Sequence, residues 1–131
     1  FIHHVYFWLK SGADRSELIA GLQKLTSIKS IGQWHIGTPA ATNRPVIDSS
    51  YSVSWMLQFD SPEDEAFYQD HPDHHRFVAE CGHLWERVVV YDSVSDKQCE
   101  VFSAKSTFTH VVLDFALRTD DFALISPRRR V

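Results

Sequence analysis

Residues 51–64 read YSVSWMLQFDSPED and combine a strand pattern with a helix start. Within 51–59, apolar side chains alternate with mostly polar ones, which is typical of a strand with one buried face. Ser61 can then cap the free backbone N–H groups of a helix, and Pro62 suits its first turn. The sequence therefore predicts a strand over 51–59 that leads directly into a helix.

Three further segments predict strands. Residues 1–9, FIHHVYFWL, are rich in aromatic and β-branched side chains on both alternating faces, which indicates a strand covered on both sides. Residues 31–36, IGQWHI, and residues 87–94, RVVVYDSV, have the composition and length of two more strands.

Helical spacing of apolar side chains predicts a helix over 13–28 and another over 73–85, and Pro72 interrupts the helix that begins at Ser61. The order β-α-β-β-α-β predicts an α+β, ferredoxin-like domain with an antiparallel sheet over residues 1–94. Residues 95–131 follow as a C-terminal extension of unknown structure, in which 107–117 is the one strand-like run.

Composition excludes several classes of function. The chain has 131 residues, a formal net charge of −4 and a pI near 6.0, which argues against nucleic acid as a partner. No apolar run approaches the ~18 residues that a membrane span needs. No secretory signal pattern is visible, and the two cysteines form no disulfide framework, so we expect a cytoplasmic protein.

A cluster of four histidines, His71, His74, His75 and His83, raises the possibility of a metal site. His71 and His75 have the i, i+4 spacing of a helical zinc pair, but Pro72 lies between them. No H-E-x-x-H motif accompanies them, and no haem-ligand motif is recognisable. We therefore predict neither a metal nor a cofactor.

One motif is specific enough to indicate a family. Tyr68-x-x-His71-Pro72-x-His74 precedes the last helix and strand, and the first strand carries a histidine, His4. Together with the element order, this pattern resembles the stress-responsive α/β-barrel (Dabb) family over about the first 94 residues. The resemblance implies a homodimer in which two ferredoxin-like sheets pack face to face into one barrel.

The residues support such a dimer independently of the resemblance. A single layer of two helices covers only one face of a four-stranded sheet. The first strand is nevertheless largely apolar on both faces, which in a monomer would leave an exposed apolar patch. Pairing two such faces across a two-fold axis would remove it.

The resemblance also implies a pocket and a chemistry. A plant enzyme of the family closes a linear polyketide by an aldol reaction without a cofactor, using a histidine base and a tyrosine in a pocket between sheet and helices. The matching residues here are His74 as base and Tyr68 as its partner, with His4 nearby. The remaining residues that we expect to contact a small apolar or aromatic carbonyl ligand are Tyr6, His71, Trp55 and Arg44.

Residues 51–59 lack the further pocket histidine of that cyclase, so the same substrate is not expected. Three functions stay open at this point. The first is ligand binding, with or without proton-transfer chemistry of the aldol cyclase or isomerase type. The second is a non-catalytic structural or stress-linked homodimer. The third is a cofactor-free monooxygenase on the same kind of barrel.

Overall fold

The computed structural model describes residues 1–96 and has the predicted ferredoxin-like order, with the second helix divided in two. A short 3₁₀ turn, Gly82–Leu84, precedes the last strand. The elements are β1 (Ile2–Leu9), α1 (Arg15–Leu25), β2 (Gln33–Gly37), β3 (Val53–Gln58), α2 (Pro62–Asp70), α3 (Pro72–Cys81) and β4 (Trp85–Ser93).

The four strands form one antiparallel sheet in the order β2-β3-β1-β4. In this register Val5 of β1 pairs with Trp55 of β3 on one side and with Val90 of β4 on the other. Because side chains alternate along a strand, these three residues lie on the same face of the sheet. That face packs against the helices, and the core between them consists of Val5, Phe7, Leu18, Leu22, Leu25, Ile28, Val53, Trp55, Leu57, Phe59, Tyr68, Phe77, Cys81 and Leu84.

The helix ends have local causes. The carboxylate of Asp14 accepts a hydrogen bond from the Ser16 backbone N–H at 2.8 Å, so α1 begins later than the predicted residue 13. It ends at Leu25 rather than residue 28, where the Thr26 backbone N–H bonds back to the Gln23 carbonyl. β3 likewise spans Val53–Gln58, slightly less than the predicted 51–59.

Pro72 sets the break between α2 and α3. His71, the residue before it, has φ −67° and ψ 137°, which is the extended conformation that a following proline favours. Pro72 then occupies the first turn of α3, where its missing N–H costs nothing. The break turns the chain so that the end of α2 and the first turn of α3 face the same part of the sheet.

The segment between β2 and β3 has no helix or strand. Its end is fastened to β1, because the Trp8 indole N–H donates to the Ser50 hydroxyl at 3.0 Å and the Leu9 N–H donates to the Ser52 hydroxyl at 3.1 Å. No helix within the described part of the chain has the length and apolarity to cross a membrane. The predicted C-terminal extension lies outside the described residues, apart from its first two positions.

Candidate ligand pocket

The alternation of β1 divides its histidines and aromatic residues between the two faces of the sheet. His3, Val5 and Phe7 are buried on the face that the helices cover. His4 and Tyr6 point to the opposite face, where their rings stack at a centroid distance of 4.5 Å. The two histidines therefore belong to different sites.

A cavity of about 270 Å³ lies between the helix-facing side of the sheet and the α2–α3 pair. Most of its wall is apolar, and its polar groups are confined to the end where α2 meets α3. It is lined by His3, Val5, Phe7, Trp55, Tyr68, Gln69, His74, Phe77, Val78, Trp85, Val88 and Val90.

Tyr68 brings a hydroxyl group to the wall of this cavity. The side chain is almost completely buried, and its oxygen accepts a hydrogen bond from the Trp55 indole N–H at 3.1 Å. Burial raises the pKa of Tyr68 to about 12, against a smaller opposing effect of that hydrogen bond. The phenol therefore stays protonated at neutral pH, and its O–H can donate to a ligand.

His74 lies beside Tyr68 in the first turn of α3, with its ring centroid 4.7 Å from the phenol ring. Burial lowers the pKa of His74, and hydrogen bonding to the Gln69 backbone opposes that shift. The imidazole is consequently neutral at pH 7, which is the form that can accept a proton. A neutral histidine and a protonated phenol in contact form an acid–base pair.

His3 is a second histidine on the cavity wall, and its side chain is buried. Its Nδ1 lies 2.6 Å from a carboxylate oxygen of Asp92, its register partner on β4. A carboxylate only accepts, so in neutral His3 the proton is on Nδ1 and the lone pair is on Nε2. Gln69 directs its amide nitrogen toward that Nε2 at 3.4 Å and donates to Glu65 at 2.8 Å.

Three of the residues predicted from the sequence line this cavity together, namely Tyr68, His74 and Trp55. His71 does not. Its Nδ1 accepts a hydrogen bond from the Asp73 backbone N–H at 3.1 Å and so caps α3, and its side chain lines a separate hollow on the outer surface of the helices.

The prediction of a single pocket that also held His4 and Tyr6 needs correction. Both side chains are in the opposite phase of β1 from Val5 and Phe7, and the sheet itself separates them from the cavity. Arg44 is exposed on the loop before β3 and lines none of the cavities described here.

Three residues around the cavity were not predicted from the sequence, namely His3, Gln69 and Asp92. The position of His3 could have been predicted from the sequence. His3 alternates along the first strand with the apolar Val5 and Phe7, so it lies on the same buried face. No sequence pattern predicts the other two. Asp92 reaches His3 through the register of β1 with β4, and Gln69 reaches it from the end of α2.

The clustered histidines do not converge on one point. His75 lies 3.5 Å from the Asp70 carboxylate, and His83 lies 3.9 Å from the Glu17 carboxylate on α1. Over residues 1–96, no group of three or more histidine, cysteine or acidic side chains is placed to hold a metal ion.

The fold and the pocket together define a ferredoxin-like α+β domain with a cavity between its sheet and its helices. Residues 2–95 match the family described as the Stress responsive A/B Barrel Domain (Dabb), and the chain belongs to this family. This confirms the resemblance inferred from the motif. No curated protein matches the chain.

Solved structures show the same fold. A hydroxynitrile lyase from Passiflora edulis is 22% identical with a TM-score of 0.61, over 78% of this chain and 95% of the lyase. A Dabb family protein from Mesorhizobium loti is 25% identical with a TM-score of 0.60, over 72% and 95%. A dimeric ferredoxin-like protein of unknown function from Thermobifida fusca is 20% identical with a TM-score of 0.56, over 69% and 85%.

Proposed function

We propose that the protein binds a small aromatic or apolar carbonyl compound in the cavity between sheet and helices and catalyses proton transfer next to its carbonyl group without a cofactor. The observation that carries this proposal is the contact between His74 and Tyr68, with ring centroids 4.7 Å apart, on the wall of an otherwise apolar cavity. A base and a hydrogen-bond donor are the two groups that enolisation requires.

The size and the lining of the cavity favour this class of ligand. An apolar cavity of about 150 Å³ is enough for benzene. The 270 Å³ available here therefore accommodates one aromatic ring with a short substituent. Valine, phenylalanine and tryptophan side chains would contact the ring, and the polar end of the cavity would receive the carbonyl group.

In the proposed reaction, neutral His74 removes a proton from the carbon next to the carbonyl. The electron pair of the broken C–H bond moves into the enolate, whose oxygen accepts a hydrogen bond from Tyr68. In an isomerisation, the imidazolium returns the proton to a different carbon. In an aldol closure, the enolate carbon attacks a second carbonyl, and the new alkoxide takes that proton.

His3, held by Asp92, brings a second imidazole to the same cavity, with its ring centroid 6.1 Å from that of Tyr68. Asp92 accepts the Nδ1 proton of His3 at 2.6 Å and so fixes the orientation of the imidazole ring. The direction of the Nε2 lone pair is fixed with it. One structural neighbour is named as a hydroxynitrile lyase, which is consistent with catalysis on this fold. The assignment of a reaction to this chain nevertheless depends on its own histidines and Tyr68.

Alpha-proton exchange tests the chemistry without knowledge of the natural substrate. Acetophenone in D₂O would be incubated with the full-length protein, and loss of its methyl proton signal would be followed by NMR. We expect His74→Gln to slow the exchange by about 100-fold, because general base catalysis contributes on that order. His75→Gln is the matched control, since His75 is the exposed neighbour of His74 and lines no cavity described here.

Each outcome bears on the proposal. Exchange that His74→Gln leaves unchanged would overturn the role of His74. Absence of exchange from a folded wild-type protein would favour the non-catalytic homodimer. Turnover of a candidate substrate that ceases when oxygen is removed would favour a monooxygenase instead.

We further propose that the protein is a homodimer formed through the sheet face that the helices leave open. That face carries Tyr6, Trp8 and Tyr91, and Tyr91 is 65% exposed. Solved neighbours of this fold are described as dimeric, which supports the same arrangement. Light scattering on the eluting protein should give the mass of two chains, and the mass of one chain would contradict the proposal.

A further inference from the structure

A row of four paired residues crosses the open face of the sheet, on the side away from the ligand pocket. Met56 of β3 pairs with His35 of β2 on one side and with His4 of β1 on the other. His4 pairs in turn with Tyr91 of β4. Directly paired residues share a face, so all four side chains lie on the open face. We call these four residues the histidine row, and two strand spacings of about 5 Å each separate its histidines.

Tyr6 holds His4 in its place within the histidine row. The two rings stack at an interplanar angle of 29°, and the Tyr6 hydroxyl lies 3.3 Å from Nδ1 of His4. Burial raises the pKa of Tyr6, so the phenol keeps its proton. A phenol can donate that proton to Nδ1 only while the nitrogen has a free lone pair, as in neutral imidazole. The contact therefore suits an uncharged His4.

The surroundings of His4 also disfavour its charged form. Burial lowers the pKa of His4, and the charges of His35 and His3 lower it further. His3 points to the other face, where Asp92 is its own partner. The nearest open-face positions on β1, β3 and β4 carry no carboxyl group. They are Ile2, Tyr6, Ser54, Gln58, Val89 and Ser93.

Two charged groups lie near the other end of β1. Arg87 pairs with Trp8 in the register of β4, and its guanidinium lies 4.3 Å from the centroid of the Trp8 ring. Asp48, on the loop before β3, accepts a hydrogen bond from the Ser50 backbone N–H at 2.9 Å and interacts with Arg87. These two charges are opposite and offset each other. They therefore do not balance a positive charge on His4, four residues from Trp8 along β1.

We propose that protonation of His4 dissociates the homodimer, with His35 adding positive charge to the same face. This inference rests on the homodimer proposed above, in which the two open faces pack against each other and remove the histidine row from water. Each protomer then brings its own copy of the row into the contact. Neutral rows pack as uncharged surfaces, whereas protonated rows place charges of one sign in a desolvated interface.

The dependence on pH has a definite sign. Burial in the dimer disfavours a charged imidazole, so His4 binds a proton more readily in the separated protomers. Association is therefore strongest above 6.5, the ordinary pKa of His4, and weakens as the pH falls below it. One pH unit below that value, each copy of His4 weakens association by up to about tenfold, and the dimer contains two copies.

Sedimentation equilibrium of the full-length protein tests this inference. The dissociation constant of the dimer would be measured at about pH 7.5 and about pH 5.5 at one ionic strength, and we expect it to rise by about 10- to 100-fold at the lower pH. Circular dichroism at both values checks that the separated chains are folded.

Substitutions assign the effect to the histidine row. His4→Gln keeps a polar side chain and removes the titration, so the dissociation constant should vary with pH by less than half as much on a logarithmic scale. His74→Gln and His75→Gln remove histidines on the helix side of the sheet and should leave the response to pH unchanged. Met56→Lys places a permanent charge between His4 and His35 and should give monomers even at about pH 7.5.

The outcomes separate this inference from the homodimer itself. A dimer with the same dissociation constant at both pH values would overturn the inference and leave the homodimer intact. A wild-type monomer at the higher pH would overturn both. A full response to pH in His4→Gln would exclude His4 as the group responsible. If the chain unfolds at the lower pH, Met56→Lys decides, because a dimer of unchanged affinity in that variant overturns the inference.

Discussion

The indole N–H of Trp55 donates a 3.1 Å hydrogen bond to the hydroxyl of Tyr68, and both side chains are about 1% exposed. This bond joins β3 to α2 through the core. It also accounts for one lone pair of the phenol oxygen, which leaves the O–H directed elsewhere. The hydrogen-bond donor of the pocket is thus positioned by the same contact that fastens a helix to the sheet.

Replacing Tyr68 with Phe should therefore affect stability as well as function. The substitution leaves the Trp55 N–H buried without its acceptor, which typically costs about 1–3 kcal/mol in the free energy of unfolding. Urea denaturation of the two proteins measures this difference. Removal of the hydroxyl should also slow α-proton exchange, because the developing enolate loses its hydrogen bond.

A double-mutant cycle separates the loss of the Trp55–Tyr68 hydrogen bond from the other effects of removing the Tyr68 hydroxyl. With Trp55→Phe in the background, Tyr68→Phe should cost much less, because no buried donor is then left without a partner. Equal costs in both backgrounds would show that the Trp55–Tyr68 bond does not contribute to stability. Exchange that is unaffected by Tyr68→Phe would exclude the phenol as a donor to the substrate.

The fold could be predicted because each element has a local cause. Alternation indicated β3, composition indicated the other three strands, Ser61 and Pro62 marked the start of α2, and Pro72 marked its end. The site was only partly predictable, since pocket residues meet through tertiary pairing. Tyr68 and His74 came from a contiguous motif, whereas Asp92 reaches His3 only through the pairing of β1 with β4. These two residues are 89 positions apart in the chain.

The lowered pKa of His74 predicts a dependence of stability on pH. Because burial holds the pKa of His74 in the folded protein below its ordinary value of 6.5, the unfolded chain binds a proton first as the pH falls. Stability from this group is present above pH 6.5 and decreases as the pH falls toward the folded-state pKa. The free energy of unfolding in urea, measured at several pH values from about 7.5 to about 5, should show this loss.

His74→Gln should make the curve of stability against pH flatter over that range, since glutamine does not titrate. His75→Gln serves as the control for loss of an exposed imidazole, because the His75 side chain is 65% exposed. Titration of the imidazole C–H signals by NMR gives an independent measurement of the same group. A His74 signal that titrates above 6.5 would contradict the predicted direction of the shift.

His71 should contribute to stability as a helix cap rather than as a ligand. Its Nδ1 accepts the Asp73 backbone N–H at 3.1 Å, and loss of such a cap costs on the order of 1 kcal/mol. We expect His71→Ala to lower the free energy of unfolding by about that amount and His71→Asn to restore most of it. Equal losses in both variants would assign the effect to packing against Phe67, whose ring lies 5.8 Å away.

Gly21 should be intolerant of a side chain because α1 and α3 approach each other there. A Cβ at Gly21 would lie 2.6 Å from the Cys81 sulfur and 3.2 Å from the Phe77 ring. Overpacking of this kind costs about 1–3 kcal/mol, against a gain of about 1 kcal/mol in helix propensity from Gly to Ala. We therefore expect Gly21→Ala to lower the free energy of unfolding by up to about 2 kcal/mol.

The cause can be tested by removing the sulfur. In a Cys81→Ala background the closest contact is gone, and Gly21→Ala should become neutral or stabilising through its helix propensity. Cys81→Ala alone supplies the reference for that cycle, because it creates a small cavity of its own beside α1. If Gly21→Ala destabilises both backgrounds equally, the Phe77 ring rather than the sulfur sets the distance between α1 and α3.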